Sequence, residues 1–415
     1  DQLADLNPFA LHVLSAGNER GEGPVSHAWH YCYYHGVTGP IYTNDYHPAD
    51  GTVDSGYDTL PPDACGKNSL VIGAVEYESG TNIVLADYSS WGPTDDGRIK
   101  PDVVAFGGPV YTTSDATTNS YDTAEGSSVA VASVAGGLAD LHELYERTPG
   151  TNDPLLSSSW AALLKHTADD LGRTGPDYQY GWGLVDVVAA AEVLTNNAEH
   201  AGLPHLMEVR LLQGAEIVIP LPCTSTVSPL VVSMQYVDPK ATVPSGLDVT
   251  NRVLINDVDL RIIAPDGTTN FPYVLTPSTP TNVASTGDNV LDNFEQVRVA
   301  NPTNGIYLAV FTHKGTLTDC FRDISVVATG YVPEDAPELR ISEVGPQPAD
   351  GGSVSLEWPG IVGARYDVDV STNLVDHPNG WTVADDGVIC NSTNLVWTNA
   401  MPSVSRIFYR ARRWR

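Results

Sequence analysis

Basic residues, cysteines and long apolar runs are scarce in this chain, and each shortage excludes something. Its 415 residues hold 21 Lys plus Arg against 51 Asp plus Glu, a formal charge of −30. A surface so acidic repels polyanions, which argues against nucleic acid as a partner. The imbalance is concentrated at one end. Residues up to 199 carry 28 acidic against 7 basic side chains, leaving −21, whereas the remainder carries 23 against 14, leaving −9. That field attracts cations such as calcium; it serves equally as plain solubility in a salty or extracellular medium. No stretch of eighteen or more apolar residues occurs, so no membrane-spanning helix is expected. The opening "DQLADLNPFALHVLSAGN" lacks the basic start and small-residue cleavage site of a signal peptide, and reads as a soluble chain or the mature piece of one.

The five cysteines, Cys32, Cys65, Cys223, Cys320 and Cys390, show no CxxC spacing, which removes zinc knuckles and thioredoxin-like motifs from consideration. Cys32 and Cys65 bracket one polar segment, and Cys223 and Cys320 lie near the ends of a strand-rich one. The expectation is two disulfides, Cys32 with Cys65 and Cys223 with Cys320, in an oxidising compartment, leaving Cys390 unpaired. Each bridge would stabilise by roughly 3–4 kcal/mol.

What is present is a change of pattern near residue 200. Before it, "ALHVLSAGN", "SLVIGAVEY" and "PDVVAF" read as buried strands, and "SVAVASVAGGLADLHELYE" and "LVDVVAAAEVLTN" as helices. That alternation predicts an α/β unit with a parallel sheet over 1–199. Beyond it, "AEIVIPL", "PLVVSMQYV", "DVDLRIIAPDG", "EQVRVANPTNGIYLAVFTH" and "DISVVATGYV" read as strands separated by Gly, Pro and Asn turns, which predicts a β-sandwich or jelly roll over 200–332. After a Pro- and acid-rich linker near 332–338, "SVSLEWPG", "RYDVDVSTN", "NLVWTNA" and "RIFYRARRWR" predict an immunoglobulin- or fibronectin-like sandwich over 333–415. The fold class is therefore α/β followed by two all-β domains.

Chemistry concentrates in "GSSVAVASVAGGLADL", residues 126–141. A serine at the mouth of a long apolar helix meets unpaired backbone N–H groups and the positive end of the helix dipole, which stabilise a developing oxyanion. Serine is also a preferred helix cap, so on this fragment alone Ser128 reads as a cap or as a nucleophile.

Four segments occur in a telling order: "LSAGNERG" at 14–21, "SSWGPTDDGRIKPDVVAFG" at 89–107, "GSSVAVASVAG" at 126–136 and "GPDYQYGWGLVDVVAA" at 175–190. Together they resemble the C-terminal half of the catalytic domain of the subtilisin-like serine peptidases, or subtilases, over residues 1 to about 195. The resemblance implies that Ser128 is the nucleophile and that Asn18 donates its side-chain amide to the oxyanion beside the Ser128 N–H. Ser127 stands where the family has Thr, Val129 where it has Met, and Ala132 and Phe106 where it has Pro.

In that family the catalytic Asp and His precede the oxyanion Asn. Here only seventeen residues do; Asp5 and His12 do not fit the family's spacing, and "HGVTG" at 35–39 falls after the Asn. The expected partner is therefore an N-terminal chain or segment carrying the Asp and His, docked against the bared sheet edge, with a peptide as substrate and a secreted or extracellular setting. Without a base, a serine hydroxyl is a poor nucleophile at neutral pH.

Three further features carry candidate chemistry. His27, His30, Cys32 and His35 have spacings compatible with zinc, although aromatic neighbours and a disulfide partner for Cys32 favour a locally packed loop. Asp257 and Asp259 lie on one face of a strand, and Asp288, Asp292, Asn293 and Glu295 follow; hard oxygens from separate strands suit a structural calcium. This passage also resembles the jelly-roll domain that follows the catalytic domain in several secreted subtilases, while acidic turns facing water are its plainer reading. "CNSTN" makes Asn391 a glycosylation sequon. The leading function is a serine endopeptidase; the alternatives are an inactive pseudoprotease scaffold and a surface-binding β-module protein.

Overall fold

The computed structural model describes residues 1–20, 29–30, 41–42, 56–79, 82–148, 154–199, 205–224, 228–242 and 250–332, and six strands between 340 and 413. After a short helix, α1 (Gln2–Leu6), comes β1 (Val13–Ser15). The paired β2 (Trp29–His30) and β3 (Ile41–Tyr42) precede β4 (Leu70–Ser79), β5 (Asn82–Leu85) and β6 (Val103–Phe106). β1 and β6 flank β4 in parallel, with Val13 opposite Leu70 and Ile72 opposite Val103, while β5 folds back antiparallel on the end of β4. Leu70, Val71, Ile72 and Ala74 are fully buried, as a central parallel strand covered on both faces requires. Among the described residues β1 has a sheet partner on one side only.

From β6 the chain makes a hairpin, β7 (Val110–Thr113) and β8 (Tyr121–Ala124), and enters α2 (Ser127–Arg147). Ala130, Val134, Leu141 and Tyr145 repeat at helical spacing and bury one stripe of α2 against the sheet. Its other face exposes Ala132, Ser133, Ala135 and Gly136. α3 (Ser157–Thr167) and α4 (Val187–Glu199) follow. α3 was not anticipated from sequence: three serines open it, yet Ser157 through Lys165 are all buried.

The strands expected after residue 200 are present. β9 (Leu206–Leu212), β11 (Leu230–Tyr236), β16 (Phe294–Val299) and β18 (Phe321–Thr329) form one antiparallel sheet. β10 (Ile217–Cys223), β12 (Asp257–Ile263), β13 (Thr269–Asn270) and β17 (Gly305–Lys314) form a second, and β14 (Tyr273–Val274) pairs with β15 (Ser285–Thr286). The two four-stranded sheets share one core, to which Val209, Met234, Leu260 and Phe311 contribute. Beyond them β19 (Arg340–Val344), β20 (Ser353–Pro359) and β23 (Asn394–Ala400) make one sheet. β21 (Arg365–Ser371), β22 (Thr382–Ile389) and β24 (Phe408–Arg413) make another. Residues 333–339 and Asn391 lie outside the described residues.

The α/β segment and the first pair of β-sheets are joined by buried polar groups. Lys67 Nζ lies 2.8 Å from Asp238 and donates to the carbonyls of Pro239 and Val253. Asn68 accepts from the Asp238 N–H and from Asn293 Nδ2. Ser158 and Ser159 each meet the Ser325 hydroxyl at 2.8 Å, and the Glu208 carboxylate takes the Leu156 N–H. The serines of α3 are thus matched by partners on β9 and β18, which explains how a polar helix start can be buried.

His166, at the end of α3, is held between the Ser233 and Thr329 hydroxyls, each at 2.9 Å. Burial pushes its pKa down from 6.5 to about 3, with His205 adding to the shift. A base whose folded pKa is depressed binds its proton only when unfolded, so stability is lost as pH falls from 6.5 towards 3. Asp292, pushed up from 3.8 to about 6 by burial, has the opposite sign and loses its contribution as pH rises through that window. Comparing a His166→Gln variant with wild type isolates the histidine: the stability gap measured at pH 7 should shift in the variant's favour by about 2–3 kcal/mol at pH 4.5. Urea titrations at the two pH values check this.

The expected Cys223–Cys320 disulfide is not formed; both thiols are free, as is that of Cys65. Cys223 Sγ lies beside the Gly330 carbonyl, whereas Cys320 precedes β18 at its opposite end. About ten residues of extended strand, on the order of 30 Å, separate those ends, far beyond disulfide reach. Cys32 and Cys390 lie outside the described residues, as do His27, His35 and the side chain of His30.

Candidate active site

β1 ends just before Ala16-Gly17-Asn18, and α2 begins at Ser127, so the parallel sheet brings Asn18 and the helix mouth together across 109 residues of sequence. Asn18 Oδ1 accepts two hydrogen bonds from Ser127, one from its N–H and one from its hydroxyl, both at 2.9 Å. Two donors on one atom identify it as the amide oxygen. The Nδ2 end is therefore left as a donor, and it has no partner among the described residues. Ser127 is fully buried, while Asn18 and Ser128 are exposed. The two hydroxyls of "GSS" have divided their work: one holds the amide, the other faces solvent.

Gly126 fixes the geometry between them. Its φ of +139° is one that side chains rarely adopt, and a Cβ placed there would lie 3.3 Å from Ser128 Oγ and 3.5 Å from Asn18 Nδ2. A hydroxyl and a free amide donor therefore border the same small space. The neighbouring loop is braced by Tyr88, whose hydroxyl donates to the Gly107 carbonyl and accepts the Gly126 N–H, the latter at 3.0 Å. Gly126 N–H also reaches the Gly107 carbonyl at 2.9 Å. Burial raises the Tyr88 pKa, so it remains a neutral donor. Ser128 N–H, in the first turn of α2, has no partner among the described residues.

This arrangement can accept a carbonyl carbon at Ser128 Oγ and its developing oxyanion between Asn18 Nδ2 and the Ser128 N–H. A Gly126→Ala substitution should fill that space and force an unfavourable φ, lowering any reaction at Ser128 about tenfold. Its reaction rate with a serine-directed probe, relative to wild type, checks this.

Among the described residues no imidazole hydrogen-bonds to Ser128. His12 sits in the approach to β1, and its Nε2 is buried without a partner. Asp5 lies 3.9 Å from Arg322 on the β-sheet side. Neither joins the site. The roles of Ser127, Tyr88 and Gly107 were not read from sequence; for Ser127 the signal was the doubled hydroxyl.

The proposed calcium ligands do not converge. Asp259 and Asp288 each lie 2.8 Å from Lys314 Nζ, which reaches Asp257 at 3.4 Å. Arg261 pairs with Asp259 at 2.9 Å and with Asp288. These two cations occupy the position a metal would take. Glu295 accepts the Leu260 N–H and lies 3.7 Å from Arg261, and burial pushes its pKa well above the usual range. Asp292 instead accepts the Ile99 N–H at 3.0 Å, and Asn293 donates to Asn68 and to the Tyr236 carbonyl, both at the junction with the α/β segment. Among the described residues no group of three or more His, Cys, Asp or Glu is arranged for a metal ion. The donor set therefore does not fit calcium, and no step is built on one.

A model of the subtilase family matches residues 2–183. Among solved structures, the chain resembles a lanthipeptide protease, at 20% identity over 44% of this chain and 50% of that one, with a TM-score of 0.30. It also resembles fervidolysin from Fervidobacterium pennivorans, described as a keratinolytic enzyme related to subtilisin, at 15% identity over 95% of this chain and 47% of that one, with a TM-score of 0.29. The matches span about half the length of each of these proteins. No curated protein sequence matches the chain.

Proposed function

We propose that the protein is a serine endopeptidase of the subtilase kind whose nucleophile is Ser128, a reading supported by the subtilase family model that matches residues 2–183. The observation that carries this reading is the fixed Asn18 amide, turned by Ser127 so that its free donor and Ser128 Oγ border one space. Ser128 Oγ attacks the peptide carbonyl and its proton passes to an imidazole. The oxyanion forms between Asn18 Nδ2 and the Ser128 N–H. The C–N bond then breaks, the amine leaving with that proton, and water hydrolyses the acyl-serine by the same steps in reverse.

The imidazole and its orienting carboxylate come from a segment outside the described residues or from a separate chain. The edge of β1 that has no sheet partner among the described residues, and the exposed small-residue face of α2, support docking there. The same reading divides the chain into a catalytic segment at 1–199, a jelly-roll unit at 200–332 and a further sandwich at 333–415, and places it in a secreted or extracellular setting. Labelling with a fluorophosphonate, with and without the Asp- and His-bearing segment, tests it: Ser128 should label in the assembled protein and a Ser128→Ala variant should not. Assembly without any labelling is the outcome expected of a pseudoprotease scaffold.

A further inference from the structure

The β7–β8 hairpin plays no part in the chemistry above, yet both its ends lead to the site. β7 follows the Gly107 that touches Gly126, and β8 runs through Glu125 into Gly126, Ser127 and Ser128. Val110 pairs with Ala124, Tyr111 with Thr123 and Thr113 with Tyr121, so Tyr111 and Tyr121 share a face. Their rings stack with centroids 5.5 Å apart and planes 20° from parallel. They are 74% and 57% exposed, so the pair is outside the core.

The tip is nevertheless well fastened. Ser120 Oγ accepts the Thr117 N–H at 2.8 Å and donates to the Ser114 carbonyl at 3.1 Å, and the Ser114 N–H reaches the Ser120 carbonyl at 3.0 Å. The platform is therefore presented by ordered backbone rather than by a loose loop. Its charge is one-sided. Asp115, Asp122 and Glu125 lie on or beside the hairpin, and no Lys or Arg occurs between Lys100 and Arg147. Strand alternation carried past Thr123 places Glu125 towards the tyrosine face.

We propose that this hairpin is a substrate-selecting arm that takes an Arg or Lys side chain of the peptide bound at Ser128. The cation packs over the tyrosine faces in the negative field of the hairpin carboxylates. Thr123, opposite Tyr111, is five residues from Ser128 in sequence, on the order of 16 Å when extended, so the arm addresses a peptide residue several positions from the scissile bond rather than next to it. The inference rests on the peptidase reading for its substrate, but its test can be read separately.

The test uses the full chain and a series of labelled peptides in which one Arg is moved through an otherwise uncharged sequence. Binding is followed by fluorescence anisotropy at low and high salt. One register should bind about fivefold tighter than the Arg-free peptide, with the preference weakened by salt. A Tyr111→Ser/Tyr121→Ser double variant should lose that preference, whereas Tyr111→Phe/Tyr121→Phe should keep it, because the ring faces remain. Equal binding of all registers, or a preference unchanged by the double serine variant, overturns the arm. Fluorophosphonate labelling of Ser128 is measured in parallel. A preserved Arg preference with no labelling of the assembled protein supports the arm and counts against the peptidase reading. Labelling without an Arg preference does the reverse.

Discussion

Replacing Asn18 by Ala should slow fluorophosphonate labelling of Ser128 in the assembled protein by about 10²–10³, a magnitude carried over from subtilisin, where a single oxyanion donor is worth that much. The reason is geometric. The amide is held by Ser127 through its oxygen, which leaves only the nitrogen end to face the developing charge. Asn18→Asp should be at least as damaging. Its carboxylate still accepts both Ser127 donors, but it presents negative charge to the oxyanion instead of an N–H. Ser127→Ala removes the hydroxyl bond and leaves the backbone one, so its effect should be smaller, about tenfold. Ser127→Thr keeps both bonds and should label near the wild-type rate. Equal rates for the Asn18 and Ser127 alanine variants would show that the amide acts in packing rather than as a donor.

A Lys67→Ala variant should lose about 3–5 kcal/mol of unfolding free energy, measured by urea titration at neutral pH, the largest stability effect expected for one side chain here. Lys67 Nζ and the Asp238 carboxylate have no solvent exposure and lie 2.8 Å apart. Asp238 also accepts the Ile255 and Asn256 N–H groups and Asn256 Nδ2, so it is anchored and cannot turn to water when its cation is removed. Burial pushes the Lys67 pKa down, and the Asp238 charge opposes that shift. Adding Asp238→Asn to Lys67→Ala removes the stranded charge and should recover part of the loss. An additive double variant would mean that the pair is not coupled.

How far the sequence revealed this molecule depended on the distance over which each interaction acts. The strands at 13–15, 70–79 and 103–106 were legible because each carries a short apolar run, at 13–14, 70–75 and 103–106, and α2 because its apolar spacing is helical. α3 was missed because its serines look like a loop until Glu208 and Ser325 arrive from strands more than forty residues away. Ser128 and Asn18 could be named from their neighbours in sequence; the structure brings the two segments together. The division of labour between Ser127 and Ser128 needed the fold, since either hydroxyl of "GSS" could have faced the amide.

The calcium set shows the limit most clearly. The two-residue alternation that placed Asp257 and Asp259 on one face also places Arg261 there, a cation already visible in the sequence. Lys314, from the adjacent β17, is not visible as a partner until Asp257 is found opposite it in the ladder. The cysteines failed for a related reason: proximity to the ends of a strand-rich segment does not say which end of a given strand a residue occupies.

The central claim is that Ser128 attacks while Ser127 positions. Peptide mapping by mass spectrometry of the fluorophosphonate adduct, formed in the assembled protein, tests it most directly. The account predicts the modification on Ser128, absent from Ser128→Ala and retained in Ser127→Thr; an adduct on Ser127, or labelling that persists in Ser128→Ala, would contradict it.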